Sequence, residues 1–416
     1  MREGAGCRWN WCHVSLGATS EPPQNNYMIA RILIPVILLI VLPDLYVDVH
    51  YLRHRSSYVW WKRLLWWLPS LLMLAYSVAI ASTRDFVPDE MVFINVYMML
   101  VGIVVMPKAI FALFSSAGYL LCRLRHRRAN WGNILWLPVA LFQIYIVCYG
   151  FIFGFGKLEV RHLDLYFDDL PKEFDGYRIV HFSDAHVGTF QYDRRQLLQR
   201  DVDSINAQHA DMVVFTGDIQ NMKPQEIYPV QDILAQVKAP DGVYSVLGNH
   251  DYSIYTHVPP AVAQANIAET VARQQRAGWN VLRNEHRVIR RGTDSLVVAG
   301  EENGGRKPSP ALADIGKTLR GVGNDAFVVM LQHDPSVWRN QILPSSHVQL
   351  TLSGHTHAGQ VSLFGLRPTM LTAKEDYGLY MDGNRQLYVT SGLAGVLAMR
   401  FGATAEIAVI TLRRAL

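Results

Sequence analysis

Residues 348–360 read Val348, Gln349, Leu350, Thr351, Leu352, Ser353, Gly354, His355, Thr356, His357, Ala358, Gly359 and Gln360. An apolar, β-branched run stops on serine and glycine, and two histidines separated by one residue follow. Such a run reads as a buried strand, and the glycine permits a tight turn behind it. Two histidines flanking a single residue point the same way from an extended segment. Imidazole nitrogen and carboxylate oxygen suit borderline metals such as zinc, manganese and iron. The same grammar recurs upstream. Arg178 to Phe182 runs into Ser183, Asp184, Ala185 and His186. Met212 to Phe215 runs into Thr216, Gly217 and Asp218. Gly242 to Leu247 runs into Gly248, Asn249, His250 and Asp251, and Phe327 to Leu331 into Gln332, His333, Asp334 and Pro335. Each cluster alone is ordinary turn composition. Solvated turns have no reason to collect histidine, so five such clusters behind five strands point to one shared chemistry. Helical stretches at Arg195 to Ala207, Pro229 to Lys238 and Pro260 to Gln275 alternate with the strands. That is the α/β order in which ligands sit at strand ends.

The chain divides by charge. Its 416 residues are 50% hydrophobic and only 18% charged. Residues 1–156 carry 13 Lys and Arg against 7 Asp and Glu; residues 157–416 carry 26 against 28. This excludes a single soluble domain, a disordered chain and a disulfide scaffold. It predicts an N-terminal transmembrane helical bundle followed by a folded α/β domain. Residues 1–27 lack apolar periodicity and read as an unstructured extension, with Met28 a candidate true start. Four spans are expected at 29–47, 64–83, 91–122 and 133–156, within a membrane region 28–156; the folded α/β domain would cover 157–416. The third span carries Lys108 after Pro107 and is expected to kink or tilt. All four cysteines, Cys7, Cys12, Cys122 and Cys148, precede residue 157, so the second domain has no thiol chemistry.

Basic residues set orientation. The loop 49–63 holds Arg53, Arg55, Lys62 and Arg63, and the loop 123–128 holds Arg123, Arg125, Arg127 and Arg128. The connection between the second and third spans holds only Arg84, beside Asp85, Asp89 and Glu90. The positive-inside rule places the two basic loops in the cytoplasm of a multi-pass plasma (inner) membrane protein. Four spans then put the large domain on the extracytoplasmic face. The overall charge of +4 sits beside apolar runs and is no argument for nucleic acid.

The ordered set D-x-H, G-D, G-N-H-D, a later H and G-H-x-H resembles the calcineurin-like metallophosphoesterase family, over roughly residues 158 to 412. The Thr351 to Gln360 stretch and His333-Asp334-Pro335 look like its bacterial, membrane-tethered branch. The resemblance implies a four-layer αββα sandwich of two mixed β-sheets with a dinuclear metal site at one edge. Carried over by motif, Asp184, His186 and His357 bind the first metal and Asn249, His333 and His355 the second, with Asp218 bridging both. Two metals, each Mn, Zn or Fe, then activate a bridging hydroxide for in-line attack on a phosphomonoester, phosphodiester or pyrophosphate. His250 is implied to protonate the leaving oxygen or steady the phosphoryl charge. With two dications bound, the formal charge of −2 on the second domain becomes about +2, which suits an anionic substrate.

Departures from the family pattern matter too. The bridging motif here reads Gly217-Asp218-Ile219-Gln220-Asn221, where a second acid is usual. Asn221 can orient the His250 ring only by a hydrogen bond, and Asp251 would have to supply the charge. Ala358 replaces a usual glycine. Arg194 and Arg195 follow the first metal loop and could meet a second phosphate; a solvated helix start is equally open. The tether suggests a lipid-linked substrate in the bilayer. A UDP-2,3-diacylglucosamine-type pyrophosphate is one option, though it is made in the cytosol. The rival of another class is a non-catalytic metal-binding membrane sensor. Oligomeric state is left open.

Overall fold

The computed structural model describes residues 28–53, 59–83, 85–126, 128–191, 194–305 and 309–415. The expectation for residues 1–27, with Cys7 and Cys12, lies outside them. Among the described residues, four helical rods are long and apolar enough to cross a bilayer. α1 (Met28–Val47) runs on through a π turn to Leu52. α2 spans Trp60–Ala81. α3 (Met91–Leu100) passes through a π turn, Val101–Val105, into α4 (Met106–Arg125). α5 (Gly132–Tyr149) ends in a π turn to Gly154.

The α3–α4 turn has a local cause. Pro107 lacks an N–H and its ring crowds the carbonyl four residues back, so the ladder widens just before it. The rod of 35 residues is roughly 52 Å long at about 1.5 Å per residue, well beyond a hydrocarbon core of about 30 Å. It must tilt or project. Lys108, inside the rod, is satisfied: its ammonium lies 2.9 Å from Asp44 Oδ1 and 2.9 Å from Ser70 Oγ. Arg63 is bidentate on Asp48, at 2.8 and 2.6 Å.

The second half is a sandwich. One sheet has the order β1 (Leu158–Phe167), β12 (Ala405–Arg414), β2 (Arg178–Phe182), β3 (Met212–Phe215), β4 (Val243–Ser245), β5 (Trp279–Val281). The other has the order β10 (Gly378–Asp382), β11 (Arg385–Val389), β9 (Leu350–Ser353), β8 (Val328–Leu331), β7 (Asp294–Gly300), β6 (Glu285–Arg291). β2, β3, β4 and β5 are parallel, as are β7, β8, β9 and β11; β12 against β2, β6 against β7 and β10 against β11 are antiparallel. Side-chain parity shows the layers. Ile179, Met212, Val214, Val298, Val329, Leu331 and Leu350 meet in one core between the sheets. Val180, Phe182, Val213 and Phe215 face outward onto α6 (Arg195–Asn206) and α7 (Gln231–Leu234). Val297, Val328 and Met330 face outward onto Trp338 and Ile342. Strands buried on both faces read as unbroken apolar runs, which is why the sequence displays these and not the polar edge strand β6. The helix expected from Pro229 shortens to Gln231–Leu234, because Pro229 sits in a 3-10 stretch, Pro224–Val230. α8 (Pro260–Arg276) covers β5.

The bundle docks on the sandwich through the α2–α3 connection. Phe86 N donates to Tyr255 O at 2.9 Å, His257 N to Asp85 Oδ1 at 2.7 Å and Ala398 N to Asn95 Oδ1 at 2.8 Å. Val87, Met91 and Ile94 share one apolar cluster with Met222, Tyr255, Val396 and Leu397. Lys62 and Arg63 open α2, and Arg123 and Arg125 close α4, so these basic residues lie at the ends of their spans away from the docked connection. At Gly154 the last span touches backbone: a Cβ there would stand 1.8 Å from Arg400 O. Gly154→Ala should therefore cost about 1–3 kcal/mol by overpacking, read as a lowered Tm of the detergent-solubilised protein. An unchanged Tm would show that this contact is loose.

Candidate metal centre

The loops behind β2, β3 and β9 turn more sharply than ordinary chain. Asp184, His186, Asp218, His355 and His357 all have positive φ, between 40° and 73°. Asp and His tolerate this region best among non-glycine residues, yet each such residue costs of order 1–3 kcal/mol. The turns aim these side chains at one point. Gly354 lets two loops touch, since a Cβ there would lie 2.0 Å from Ser183 Oγ and 2.3 Å from Asp184 Oδ2.

Two sets of donors converge. Atoms of Asp184, His186 and His357 all lie within 4.8 Å of one another, and so do atoms of Asp218, His333 and His355. Asp218 Oδ2 is 3.7 Å from His186 Nε2 and 3.2 Å from His333 Nε2, so it stands between the sets. Asn249 Oδ1 is 3.1 Å from His333 Nε2, and its amide nitrogen donates to Tyr255 Oη at 2.8 Å. The amide oxygen is thereby turned inward.

The outer nitrogens fix the tautomers. Nδ1 of His186 lies 3.0 Å from Asn221 Oδ1, that of His333 2.7 Å from Thr216 O, and that of His357 3.0 Å from Ala394 O. With Nδ1–H donating outward, each Nε2 presents a lone pair to the centre. His333 Nε2 lies 3.2 Å from Asp218 Oδ2, 3.1 Å from Asn249 Oδ1 and 3.2 Å from His355 Nδ1, a cluster that only a shared cation or proton can hold together. His186 Nε2 and Asp218 Oδ2 are buried with no hydrogen-bond partner among the described residues. Acceptors facing acceptors in a dry cleft call for a cation.

Electrostatics agree. Burial, then the His250 ring, holds His186 well below the ordinary imidazole range, and burial brings His357 down to about 4. Both are neutral and ready to ligate. Burial raises the Asp218 carboxyl, but His333, His250 and His186 outweigh it and hold it well below the carboxylate range. Burial opposes a charged His333, but Asp218 outweighs it and takes the ring up to about 10. One proton thus does what a metal charge would do. The donors are nitrogen and oxygen only, which fits a pair of Mn, Zn or Fe ions equally.

His250 Nδ1 lies 2.5 Å from Asn221 O, and its ring stacks on Tyr255 at 4.2 Å. One of its nitrogens comes within 4.8 Å of donors on His186 and Asp218, closer than sequence alone implied. Asn221 orients that ring through its main-chain carbonyl, while its side chain serves His186. Among the described residues no hydrogen bond or ion pair joins Asp251 to the His250 ring. Its carboxylate accepts from the N–H groups of Gly248, Asp218 and Ile219 at 2.9, 2.9 and 3.1 Å and ties the β3 and β4 loops together.

Three residues escaped sequence reasoning. Half-buried Glu226 accepts from the N–H groups of Asn221, Met222 and Lys223 and fixes the Asn221 loop. Buried Arg400 donates to the carbonyls of Ser391, Gly392, Ala394 and Ala403. Phe86, from the bundle, packs 4.7 Å from Tyr255 and 6.2 Å from His250. An arginine inside the small and apolar run 393–401 was the only signal for Arg400. Asn221→Ala should weaken metal binding about 10–100-fold, measured by Mn titration calorimetry; wild-type affinity would show that His186 needs no orientation.

Comparison with known proteins agrees with this geometry. Residues 177–359 match the family model described as calcineurin-like phosphoesterase. Residues 30–155 match that described as probable calcineurin-like phosphoesterase, transmembrane domain. An uncharacterised metallophosphoesterase of Helicobacter pylori is 30% identical over 295 residues, 69% of this chain and 72% of that protein. The chain belongs to the calcineurin-like phosphoesterase family. A Bacillus subtilis metallophosphoesterase, also uncharacterised, is 31% identical over 59% of this chain and 82% of its own length. A Danio rerio transmembrane protein with a metallophosphoesterase domain is 30% identical over 65% of this chain and 61% of its own. The present phosphoesterase is thus a membrane-associated metallophosphoesterase, a hydrolase of phosphoric ester bonds.

Proposed function

We propose that this phosphoesterase hydrolyses a phosphate ester or pyrophosphate held at the membrane surface, with residues 157–416 as its catalytic unit. In this reading Asp184, His186 and His357 hold one metal, Asn249, His333 and His355 the other, and Asp218 both. The observation that carries it is the buried Asp218 Oδ2, without a hydrogen-bond partner among the described residues, set between two groups of inward-facing nitrogens. When bound, the metal pair supplies a nucleophile from water at neutral pH and neutralises phosphoryl oxygen charge. The protein's own groups do the rest. Outer hydrogen bonds hold the imidazoles rigid. His250, steered by Asn221 O and Tyr255, presents its free nitrogen toward the centre; once protonated beside an anionic phosphoryl group, it donates to the leaving oxygen.

The bundle supports a lipid-linked substrate. Phe86 belongs to the connection between two spans, and its ring packs on the Tyr255 and His250 pair. The centre therefore lies about one side chain from the connection that joins the second and third spans. Lys62, Arg63, Arg123 and Arg125, at the far ends of their spans, favour the extracytoplasmic side of a plasma (inner) membrane for the large domain. That side disfavours a UDP-2,3-diacylglucosamine-type substrate, which is made in the cytosol.

The test is a panel assay of the Mn-loaded protein in detergent and in vesicles. Turnover of p-nitrophenyl phosphate or its bis-ester is expected, with higher kcat/KM for a vesicle-embedded lipid phosphate than for its soluble head group. A protein that binds two metals and cleaves nothing on the panel would instead be a sensor. Alkaline phosphatase fused after Leu416 should be active, and an inactive fusion would reverse the orientation.

A further inference from the structure

Arg195 is spent, because its Nη2 donates to both Asp232 carboxylate oxygens at 2.8 and 2.6 Å and its Nε to Pro229 O at 3.2 Å. Arg194 is placed differently. It caps a groove of about 310 Å³ between the start of α3 and the end of the last span. The walls are Val92 and Val96 on α3 and Phe151 and Ile152 after α5. Val92 is 49% and Ile152 64% exposed, on the face that a bilayer would cover. The groove reaches from Met91 to Met99, a rise of roughly 12 Å along the helix. That is the depth of a glycerol backbone and the upper part of an acyl chain.

Its polar end is not random. Gln191 lines it beside Arg194, and Gln191 Oε1 is buried with no hydrogen-bond partner among the described residues. A guanidinium seeks a phosphate, and an orphaned amide oxygen seeks a donor. One amphiphile satisfies both: a phospholipid whose head group carries a hydroxyl or an ammonium hydrogen. We propose that this groove binds such a phospholipid, with its chain along Val92, Val96 and Ile152, its phosphate on Arg194 and its head-group donor on Gln191. Thr189, which also lines the groove, accepts from Asn221 Nδ2 at 3.2 Å. The lipid would therefore lie one hydrogen bond behind the residue that orients His186. The inference requires only that the helices span a bilayer, and it stands apart from the hydrolytic reading.

Native mass spectrometry of the full chain, released from mild detergent, tests it. The wild type should retain phosphatidylglycerol or phosphatidylethanolamine in preference to phosphatidylcholine, which has no head-group donor. Arg194→Gln should weaken that retention about tenfold or more, and Ile152→Trp should remove it by filling the groove. A Tm and a gel-filtration profile matching the wild type would show that both variants are folded. Equal retention by wild type and both variants would overturn the site. So would equal retention of phosphatidylcholine, or binding of inorganic phosphate without lipid.

Discussion

Asp218→Asn should abolish hydrolysis, lowering kcat/KM by roughly 10³-fold or more, while leaving the fold intact. Asn is nearly isosteric, so the His250 N–H bond to Oδ1, 2.8 Å in the native protein, survives. The charge does not. Asp218 is the anion that His186 and His333 both face, at 3.7 and 3.2 Å. Without it the two metal ions of the proposed centre would lose their shared ligand, and the His333 ring loses the carboxylate that raises its pKa. Mn titration should show loss of one or both ions, and steady-state kinetics should show the loss in kcat. A variant retaining activity within about tenfold, the effect of an outer-shell change, would remove Asp218 from the centre.

Arg400→Met should be the most destabilising single change outside the candidate ligands, costing about 3–5 kcal/mol. The side chain is 1% exposed and still charged, burial lowering its guanidinium only to about 10. Its donors gather the carbonyls of Ser391, Gly392, Ala394 and Ala403. Methionine fills the volume but strands those carbonyls, and an unsatisfied buried acceptor costs about 1–3 kcal/mol. The damage reaches the centre, because Ala394 O also holds His357 Nδ1 and Ala394 N donates to Asp184 O at 2.9 Å. A lowered Tm should therefore accompany weakened metal binding. Lost stability with unchanged metal affinity would confine Arg400 to folding.

These two residues mark how far the sequence could be read. Asp218 was legible because β3 is buried on both faces and ends in a glycine-aspartate turn. The other strand-end motifs were legible for the same reason. Arg400 was not, because its partners are main-chain carbonyls, which leave no residue-type signature. β6 and β10 were missed because half their side chains face solvent and interrupt the apolar run. β12 pairs with β1 and β2 across more than 200 residues of chain, a pairing no local pattern announces. Asp251 was legible as chemistry but not as role: its carboxylate was free to brace backbone, and only the loop geometry shows that it does. Phe86 shows the largest gap. Hydropathy separated a bundle from a globule, yet it could not show that a loop of one walls the centre of the other.

The central claim is that two metal ions share Asp218. Anomalous diffraction from crystals of the Mn-loaded protein tests it most directly. Two peaks about 3.5–4 Å apart, flanking Asp218 Oδ2, with one against His186 and His357 and the other against His333, His355 and Asn249, are the predicted result. A single peak, or a pair bound elsewhere with Asp218 unligated, would contradict it.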